Sequence, residues 1–300
     1  MIKLSFLFDN YGLYPLEIID NTFIIDDFLY KVEEIKNYTE EDIININNFS
    51  KEINILYKNS FYLIKNRKGN YITSIIDKSY VLVSTKIDKI NYYDILKFTK
   101  YFVNKNNEKY NISEMIKIWN ERFENIKKSC FNSIDSNDVN FDKIHTAVSF
   151  SFGLAENAIS YLADSKIDYG DNIERLSLSH IRLISYDSYS FFNPFNMIID
   201  TIIRDYAELY KFELIDIYDL DKIISNLNIN VKEASLLMAR ILYPTRIFDL
   251  LEDNYLNEDH KVNKTIEYVN TLDKELQRIK NVHALLKRKY NIRPIEWLKK

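Results

Sequence analysis

The chain has 300 residues, of which 46% are apolar and 28% are charged, and this balance excludes a disordered polypeptide. Its formal net charge of −4 argues against a general nucleic-acid binder, whose affinity would come from neutralising phosphates. The apolar runs stop short of the roughly 18 residues that a membrane span needs, and the first one ends too early for a secretory signal. We therefore expect a cytoplasmic protein.

The scarcity of glycine and cysteine removes further classes of site. The chain has four glycines and one cysteine. Cys130 has no partner for an intramolecular disulfide, and we interpret it as a buried or incidental thiol. Neither a GxGxxG nor a GxxxxGKS/T motif occurs, which excludes the usual dinucleotide and P-loop sites. The abundance of isoleucine, lysine, asparagine and tyrosine is typical of an AT-rich bacterial coding sequence.

The first 88 residues read as a small antiparallel sheet. Short β-rich segments alternate with turn residues, and one helix is predicted at 40–55. The last three segments are joined by short turns, which fits an antiparallel meander. We therefore predict a β-rich N-terminal unit over residues 1–88. Its predicted strands are 22–25, 29–35, 60–65, 71–76 and 80–85.

Residues 89–300 follow the helical period instead. An irregular stretch at 173–194, rich in serine and tyrosine, interrupts the helices, and loops on a rigid scaffold commonly carry sites. Pro244 should separate two neighbouring helices. The order predicts an α+β protein with the layout of protein-kinase-like folds. The predicted helices are 92–103, 112–128, 142–164, 198–211, 218–227, 231–243, 245–255 and 264–290.

Three segments, at 152–164, 194–208 and 239–255, carry a resemblance to a known family. Over residues 50–260 the chain resembles the spore-coat-associated kinase-like proteins of the YutH type, relatives of the aminoglycoside and choline kinases. The resemblance implies a two-lobe fold, with a small antiparallel-sheet N-lobe and a large helical C-lobe. It also implies a protein that acts through protein partners, among them spore-coat proteins. The chain looks most similar to the branch suspected of lacking kinase chemistry.

The resemblance places the catalytic loop at 180–187. Active relatives have histidine, glycine and aspartate there, followed five positions later by asparagine. His180 matches the histidine, Ile181 replaces the glycine, Arg182 replaces the aspartate and Asp187 stands at the asparagine position. The loop aspartate accepts the proton of the attacking hydroxyl, whereas a guanidinium is a permanent cation and cannot accept one. We therefore expect a catalytically degenerate protein.

The remaining kinase machinery is mixed. The resemblance places a magnesium-binding aspartate at Asp200, which together with Asp187 could supply oxygen ligands to a hard cation, although both could also be helix caps. Lys31, with Glu52 as its ion-pair partner, is the candidate lysine for ATP. A half-exposed strand alternates apolar and polar residues, and this alternation alone would account for a lysine at position 31. No glycine-rich loop precedes Lys31. We expect no bound cofactor, with ATP and Mg²⁺ as the alternative.

Two further pairs are interpreted as structural. Arg204 and Asp205 match a family motif whose aspartate stabilises the catalytic loop. Glu156 and Asn157 lie in an apolar helix, where polar groups should be buried only if they are hydrogen-bonded. We interpret them as anchors between that helix and the catalytic-loop segment.

Two functions remain open from the sequence. The first is a degenerate kinase-like protein that acts by binding, located in the cytoplasm and deposited on the spore coat. The second is an ATP-dependent small-molecule phosphotransferase of the aminoglycoside or choline type with an atypical active site. The substitution at Arg182 and the missing glycine-rich loop favour the first.

Overall fold

The computed structural model describes residues 2–58, 60–104, 109–130, 141–255 and 267–299. Its N-terminal part contains an antiparallel sheet in the order β1-β2-β5-β3, with β4 also paired to β5. Val32 and Leu82 are paired and buried on one face of the sheet, and Leu63 and Val83 are paired and buried on the other, so both faces of the central strand β5 are covered. The strands are β1 (Thr22–Ile25), β2 (Phe28–Ile35), β3 (Tyr62–Ile64), β4 (Thr73–Ile75) and β5 (Lys78–Lys86).

Two helices accompany this sheet. Helix α2 (Glu40–Leu56) begins at a capping box in which Thr39 and Asp42 bond reciprocally, which explains why the predicted helix starts where it does. Helix α1 (Leu4–Tyr11) was not predicted. It buries Phe6 and Leu7 in the same core cluster as Val32 and Leu82. An eight-residue helix is too short to give a clear period in the sequence, so packing decides it.

The stretch predicted to be irregular contains short regular elements. Strand β6 (Leu176–His180) pairs with β7 (Met197–Thr201), and helix α6 (Ser188–Phe192) lies between them. A 3₁₀ turn, Pro194–Asn196, leads into β7. The helix predicted to start at residue 198 is therefore wrong over its first residues. Ile198, Ile199 and Thr201 are β-branched and take up a strand, and α7 begins only at residue 204.

The helical part is built around one buried helix, α9. Its residues after Val231 are all buried, including Lys232, Glu233 and Arg240, and it packs on α5, α7 and α11. Pro244 separates α9 from α10, as predicted. The helices are α3 (Tyr92–Phe102), α4 (Ile112–Cys130), α5 (Phe141–Tyr169), α7 (Arg204–Lys211), α8 (Ile217–Leu227), α9 (Val231–Leu242), α10 (Thr245–Tyr255) and α11 (Leu272–Tyr290), and a 3₁₀ turn follows at Glu296–Lys299.

Some predictions fall outside the described residues. The side chain of Cys130 does so, as do residues 264–266 at the start of the last predicted helix. Within the described ranges, each helix is either too short or too polar to cross a lipid bilayer.

The chain divides into two compact units, and their boundaries differ from the single boundary predicted at residue 88. The first unit comprises Met1–Phe98 and His180–Ile198, and the second comprises Thr99–Ser179 and Ile199–Lys300. The segment His180–Ile198 joins the first unit because α6 packs on β5 and the 3₁₀ turn packs on α2. The segment in which the family resemblance places the catalytic loop thus belongs with the sheet, a long-range arrangement that local periodicity does not reveal.

Candidate functional site

His180, at the end of β6, is fully buried in the first unit. Its Nε2 lies 2.8 Å from the carbonyl oxygen of Phe191. The imidazole stacks on the Phe191 ring at 5.1 Å between centroids and lies 5.7 Å from the Phe98 ring. A buried ring that is hydrogen-bonded and packed against aromatic side chains fixes the position of a segment. His180 therefore anchors the loop that follows it.

The next two loop residues are held by Asn196. The Ile181 N–H donates to the Asn196 carbonyl at 2.7 Å. The Arg182 N–H donates to Asn196 Oδ1 at 3.2 Å, and Asn196 Nδ2 donates to the Arg182 carbonyl at 2.7 Å. The half-buried Arg182 side chain donates from Nη1 to the Ile181 carbonyl at 2.8 Å. A guanidinium thus stands in an ordered loop at the position where the family resemblance places the base.

Asp187 acts as the N-cap of α6. Its Oδ1 accepts from the Ser190 N–H at 2.7 Å, and the Ser185 hydroxyl donates to its Oδ2. The limited burial of this largely exposed carboxyl would raise its pKa, but the bonds from Ser185 and Ser190 outweigh that effect and lower the pKa. Each carboxylate oxygen already accepts a hydrogen bond, so the capping role that the sequence left open is formed.

Asp200, in β7 of the second unit, is only 2% exposed. Arg204 Nη1 donates to its Oδ2 at 2.5 Å, and Arg240 Nη2 donates to its Oδ1. The Thr201 N–H also donates to Oδ1, at 2.5 Å. Burial alone would raise the pKa of this carboxyl, but the charges of Arg240 and Arg204 hold it at about 2. Asp200 is therefore an ionised carboxylate clamped between two guanidinium groups.

The Asp200 clamp, defined as Asp200 with Arg204 and Arg240, extends into a larger buried charge cluster. Glu208, one turn after Arg204, accepts from Lys211 Nζ at 3.4 Å, and Lys211 Nζ also donates to the Thr245 hydroxyl at 2.8 Å. Among the described residues, three buried side-chain atoms near these charges have no hydrogen-bond partner: Thr201 Oγ1, Glu208 Oε2 and Arg240 Nε. Burial, followed by the charge of Asp200, raises the pKa of Tyr110 to about 12.

The candidate metal ligands do not fit a magnesium ion as they are placed. Mg²⁺ needs oxygen ligands in nearly octahedral geometry. Both carboxylate oxygens of Asp200 accept from guanidinium groups, and those of Asp187 accept from Ser185 and Ser190. Among the described residues, no cluster of three or more histidine, cysteine, aspartate or glutamate side chains could hold a metal. A cation at Asp200 would have to displace an arginine.

Lys31, the candidate ATP lysine, is engaged by residues of α6 and of its own strand. Its Nζ lies 3.5 Å from Glu33 Oε1 and 4.7 Å from the centroid of the Tyr189 ring. The Tyr189 hydroxyl donates to Glu33 Oε1, and Asn193 Nδ2 donates to the same oxygen at 3.3 Å. Burial raises the pKa of Glu33, although the charge of Lys31 opposes the shift. We call Lys31, Glu33, Tyr189 and Asn193 the Lys31 cluster.

The predicted ion pair of Lys31 with Glu52 is not formed in the described part of the chain. Glu52 lies exposed on α2, and the carboxylate beside Lys31 is that of Glu33. The reason is strand geometry, since residues two apart on a strand lie on the same face. A carboxylate two positions away is therefore closer than one on the following helix.

The interpretation of Glu156 and Asn157 as buried anchors is wrong. Both side chains are exposed. The buried face of α5 is formed by Ala147, Leu154, Ala158 and other apolar residues, which leaves positions 156 and 157 on the opposite face of the helix. Asn157 instead accepts a hydrogen bond from the Trp297 indole at 3.0 Å, close to the C-terminus.

Arg204 and Asp205 lie at the start of α7. Arg204 binds Asp200, and Asp205 is 2% exposed. Asp200 and Arg204 are identified by the family motif, whereas Arg240 and the partners of Lys31 lie outside it. One signal was available for Arg240, because it is a lone cation in the apolar run Leu236–Leu242. A buried cation requires a buried anion.

A family model described as "Spore coat putative kinase YutH" matches residues 5–289 of the chain. A search of curated protein sequences found no match. Among solved structures, the chain is similar to a spectinomycin phosphotransferase, APH(9)-Ia, solved with ADP and spectinomycin. The TM-score is 0.57 and the identity is 10%, over 93% of this chain and 96% of that one.

A second similar structure is an aminoglycoside phosphotransferase from Alicyclobacillus acidocaldarius. Its TM-score is 0.50, and it is 10% identical over 96% of each chain. At such low identity the two structures establish the fold alone, which is the two-lobe fold of kinase-like phosphotransferases. The predicted fold class is therefore confirmed.

Proposed function

The chain belongs to the YutH family of spore coat kinase-like proteins, and on that premise we propose that it is a catalytically degenerate kinase that acts by binding. Its partner is a protein, and its place is the cytoplasm of a sporulating cell with deposition on the spore coat. Family membership supports the location, and the charged residues at the candidate site support the loss of chemistry.

The Asp200 clamp is the observation that carries this proposal. Phosphoryl transfer depends on a metal that neutralises the charge developing on the phosphates. Here the aspartate at the metal position faces the buried cation of Arg240 and the largely buried cation of Arg204. Admitting a metal would expel at least one guanidinium and leave it without its anion, and breaking a buried ion pair costs about 3–5 kcal/mol. The clamp thus opposes metal binding in the folded protein.

Two further observations support the loss of chemistry. Arg182 cannot accept a proton from an attacking hydroxyl, whatever the substrate. The Lys31 ammonium already lies against Glu33 and the Tyr189 ring, so a nucleotide phosphate would compete with both. The conventional reaction is therefore obstructed at three positions. These are the position of the base, the position of the metal ligand and the candidate ATP lysine.

The alternative function is an ATP-dependent phosphotransferase for a small molecule, of the aminoglycoside or choline type, with ATP and Mg²⁺ as cofactors. One comparison favours it, because the similar spectinomycin phosphotransferase was solved with ADP and spectinomycin. In this alternative the exposed Asp187 would provide the carboxylate that binds Mg²⁺, because the carboxylate of Asp200 is paired with two arginines.

Equilibrium titration with a fluorescent ATP analogue, with and without Mg²⁺, separates the two functions. We expect Mg²⁺ to leave nucleotide affinity unchanged and expect no phosphate release from ATP. A Mg²⁺-dependent affinity that falls about 10- to 100-fold in Asp187→Asn would refute the proposal. Asp216→Asn is the matched control, because Asp216 caps α8 as Asp187 caps α6.

The location is tested separately with a fluorescent fusion expressed in a sporulating host. We expect signal in the cytoplasm during growth and at the surface of the developing spore later. A signal that stays diffuse throughout spore formation would contradict the coat assignment.

A further inference from the structure

The first unit contains a cavity of about 160 Å³ that the proposed function does not use. It lies where the end of α2, the end of β5 and the start of α3 meet. None of the residues of the catalytic loop, the Asp200 clamp or the Lys31 cluster lines it. The cavity is nevertheless next to the segment 180–187, because the Ile90 N–H donates to the Tyr186 carbonyl oxygen at 3.2 Å.

One wall of the cavity is apolar and fixed in place. Tyr57, Ile90 and Phe192 form it. Ile90 is 7% exposed and Phe192 is 4% exposed, and the Tyr57 and Phe192 rings lie 5.2 Å apart between centroids. The Tyr57 hydroxyl donates to the carbonyl oxygen of Asp94 at 2.5 Å. An aromatic wall tied by a hydrogen bond offers a preformed surface to a flat organic group.

Three lysines, Lys58, Lys86 and Lys89, line the same cavity. Within the described ranges, their ammonium groups take part in no ion pair and no hydrogen bond. The two carboxylates of the lining are committed to backbone groups. Asp88 accepts from the Lys89 N–H at 2.8 Å, and Asp94 accepts from the Asn91 N–H at 3.0 Å. These bonds leave the charge of both carboxylates in place, so three lysines and two aspartates give the lining a net charge of +1.

The charge and the size of the cavity together define the class of ligand. A phosphate monoester carries about −1.5 to −2 charges at neutral pH and three acceptor oxygens, and lysine binds phosphate as a point charge with three donors. The cavity is smaller than the roughly 300–1,000 Å³ of sites for drug-sized ligands. We propose that it binds a small phosphomonoester, with the phosphate at the three lysines and one ring against Tyr57 and Phe192.

Calorimetric titration with phenyl phosphate, inorganic phosphate and phenol at physiological ionic strength tests the proposal. We expect saturable binding of phenyl phosphate, weaker binding of inorganic phosphate and none of phenol, because the lysines bind the anion and the wall adds affinity for the ring. Absence of saturable phenyl phosphate binding would overturn the proposal.

Paired variants then locate the bound anion. Lys86→Gln with Lys89→Gln should lower phenyl phosphate affinity at least tenfold, and circular dichroism should show an unchanged fold because both side chains are exposed. Lys143→Gln with Lys287→Gln makes the same change in net charge at exposed positions of the second unit, and its affinity should stay within twofold of the parent. An equal loss in both double variants would mean nonspecific attraction and would overturn the site.

Discussion

Asp200 and Asp187 occupy comparable positions in the family resemblance but very different physical surroundings. Asp200 is 2% exposed and ionically paired with Arg204 and Arg240. Asp187 is largely exposed and caps a five-residue helix through neutral donors. The first carboxylate is held by buried charges, and the second is held by local hydrogen bonds.

This difference shows that matching a motif position does not fix the role of a carboxylate. A buried ionised group must be paired, so the partners of Asp200 decide what else it can bind. An exposed carboxylate can exchange its hydrogen bonds for water at little cost. The expected free-energy changes below differ between the two for this reason.

Asp200→Asn should cause the largest loss of stability. The amide would leave the buried Arg240 and the largely buried Arg204 without their anion, and removing one partner of a buried ion pair costs about 3–5 kcal/mol. Urea unfolding measures the change. The control is Asp219→Asn, which removes a carboxylate 3.9 Å from an exposed lysine and should change the free energy of unfolding by less than about 0.5 kcal/mol. Equal effects of the two variants would show that the clamp is loose.

Acid should remove the contribution of Asp200 over a defined pH range. The pKa of this carboxyl falls from its ordinary 3.8 to about 2 in the folded protein. A depressed pKa stabilises the fold above the ordinary value, and this stability is lost as pH falls from about 4 to 2, by about 2 kcal/mol. Unfolding free energies across this range measure the effect. The curve for Asp200→Asn should lack this loss of stability between about pH 4 and pH 2. Parallel curves for the two proteins would refute the assignment of the loss to Asp200.

Tyr189→Phe should have a smaller effect on stability. The substitution removes the hydroxyl that donates to Glu33 but keeps the ring beside Lys31. A hydrogen bond to a charged group contributes about 1.5–3 kcal/mol, and we expect the lower end because Asn193 and Lys31 remain beside Glu33. Tyr218→Phe, at a side chain that is 75% exposed, is the control and should be neutral in thermal and urea unfolding.

Asp187→Ala should have the smallest effect. The substitution removes the N-cap of α6, and loss of an aspartate cap costs about 1 kcal/mol. Asp216→Ala removes the equivalent cap of α8 and should cost a similar amount. A loss for Asp187→Ala that approaches the loss for Asp200→Asn would show that Asp187 has a second structural role beyond the cap.

Much of the fold could be predicted from local patterns. Strand β1 was predicted with its observed bounds. For the long helices, the majority of the predicted ends lie within a few residues of the observed ends. The chief misses were α1, the paired strands β6 and β7, and the short helix α6 between them in sequence. All are short elements whose conformation depends on packing and pairing partners that are distant in sequence.

The candidate site was less predictable than the fold. The sequence identified His180, Arg182, Asp187 and Asp200, each from its place in the family motif. It gave no indication that Tyr189 would cover Lys31, because this contact joins residues 158 positions apart. It also placed Glu156 and Asn157 in the interior, where the helix in fact turns them to the surface.

The fold class, the family resemblance and the arginine at the position assigned to the catalytic base could all be recognised from the amino-acid sequence. Residue identity and periodicity are local properties of the chain, so they suffice for these conclusions. The pairing of Asp200 with Arg204 and Arg240, and the position of Lys31 beside Glu33 and Tyr189, became known from the folded structure. The reason is that the charge and pKa of a side chain depend on burial and on neighbours within a few ångströms, and folding brings those neighbours from distant parts of the chain.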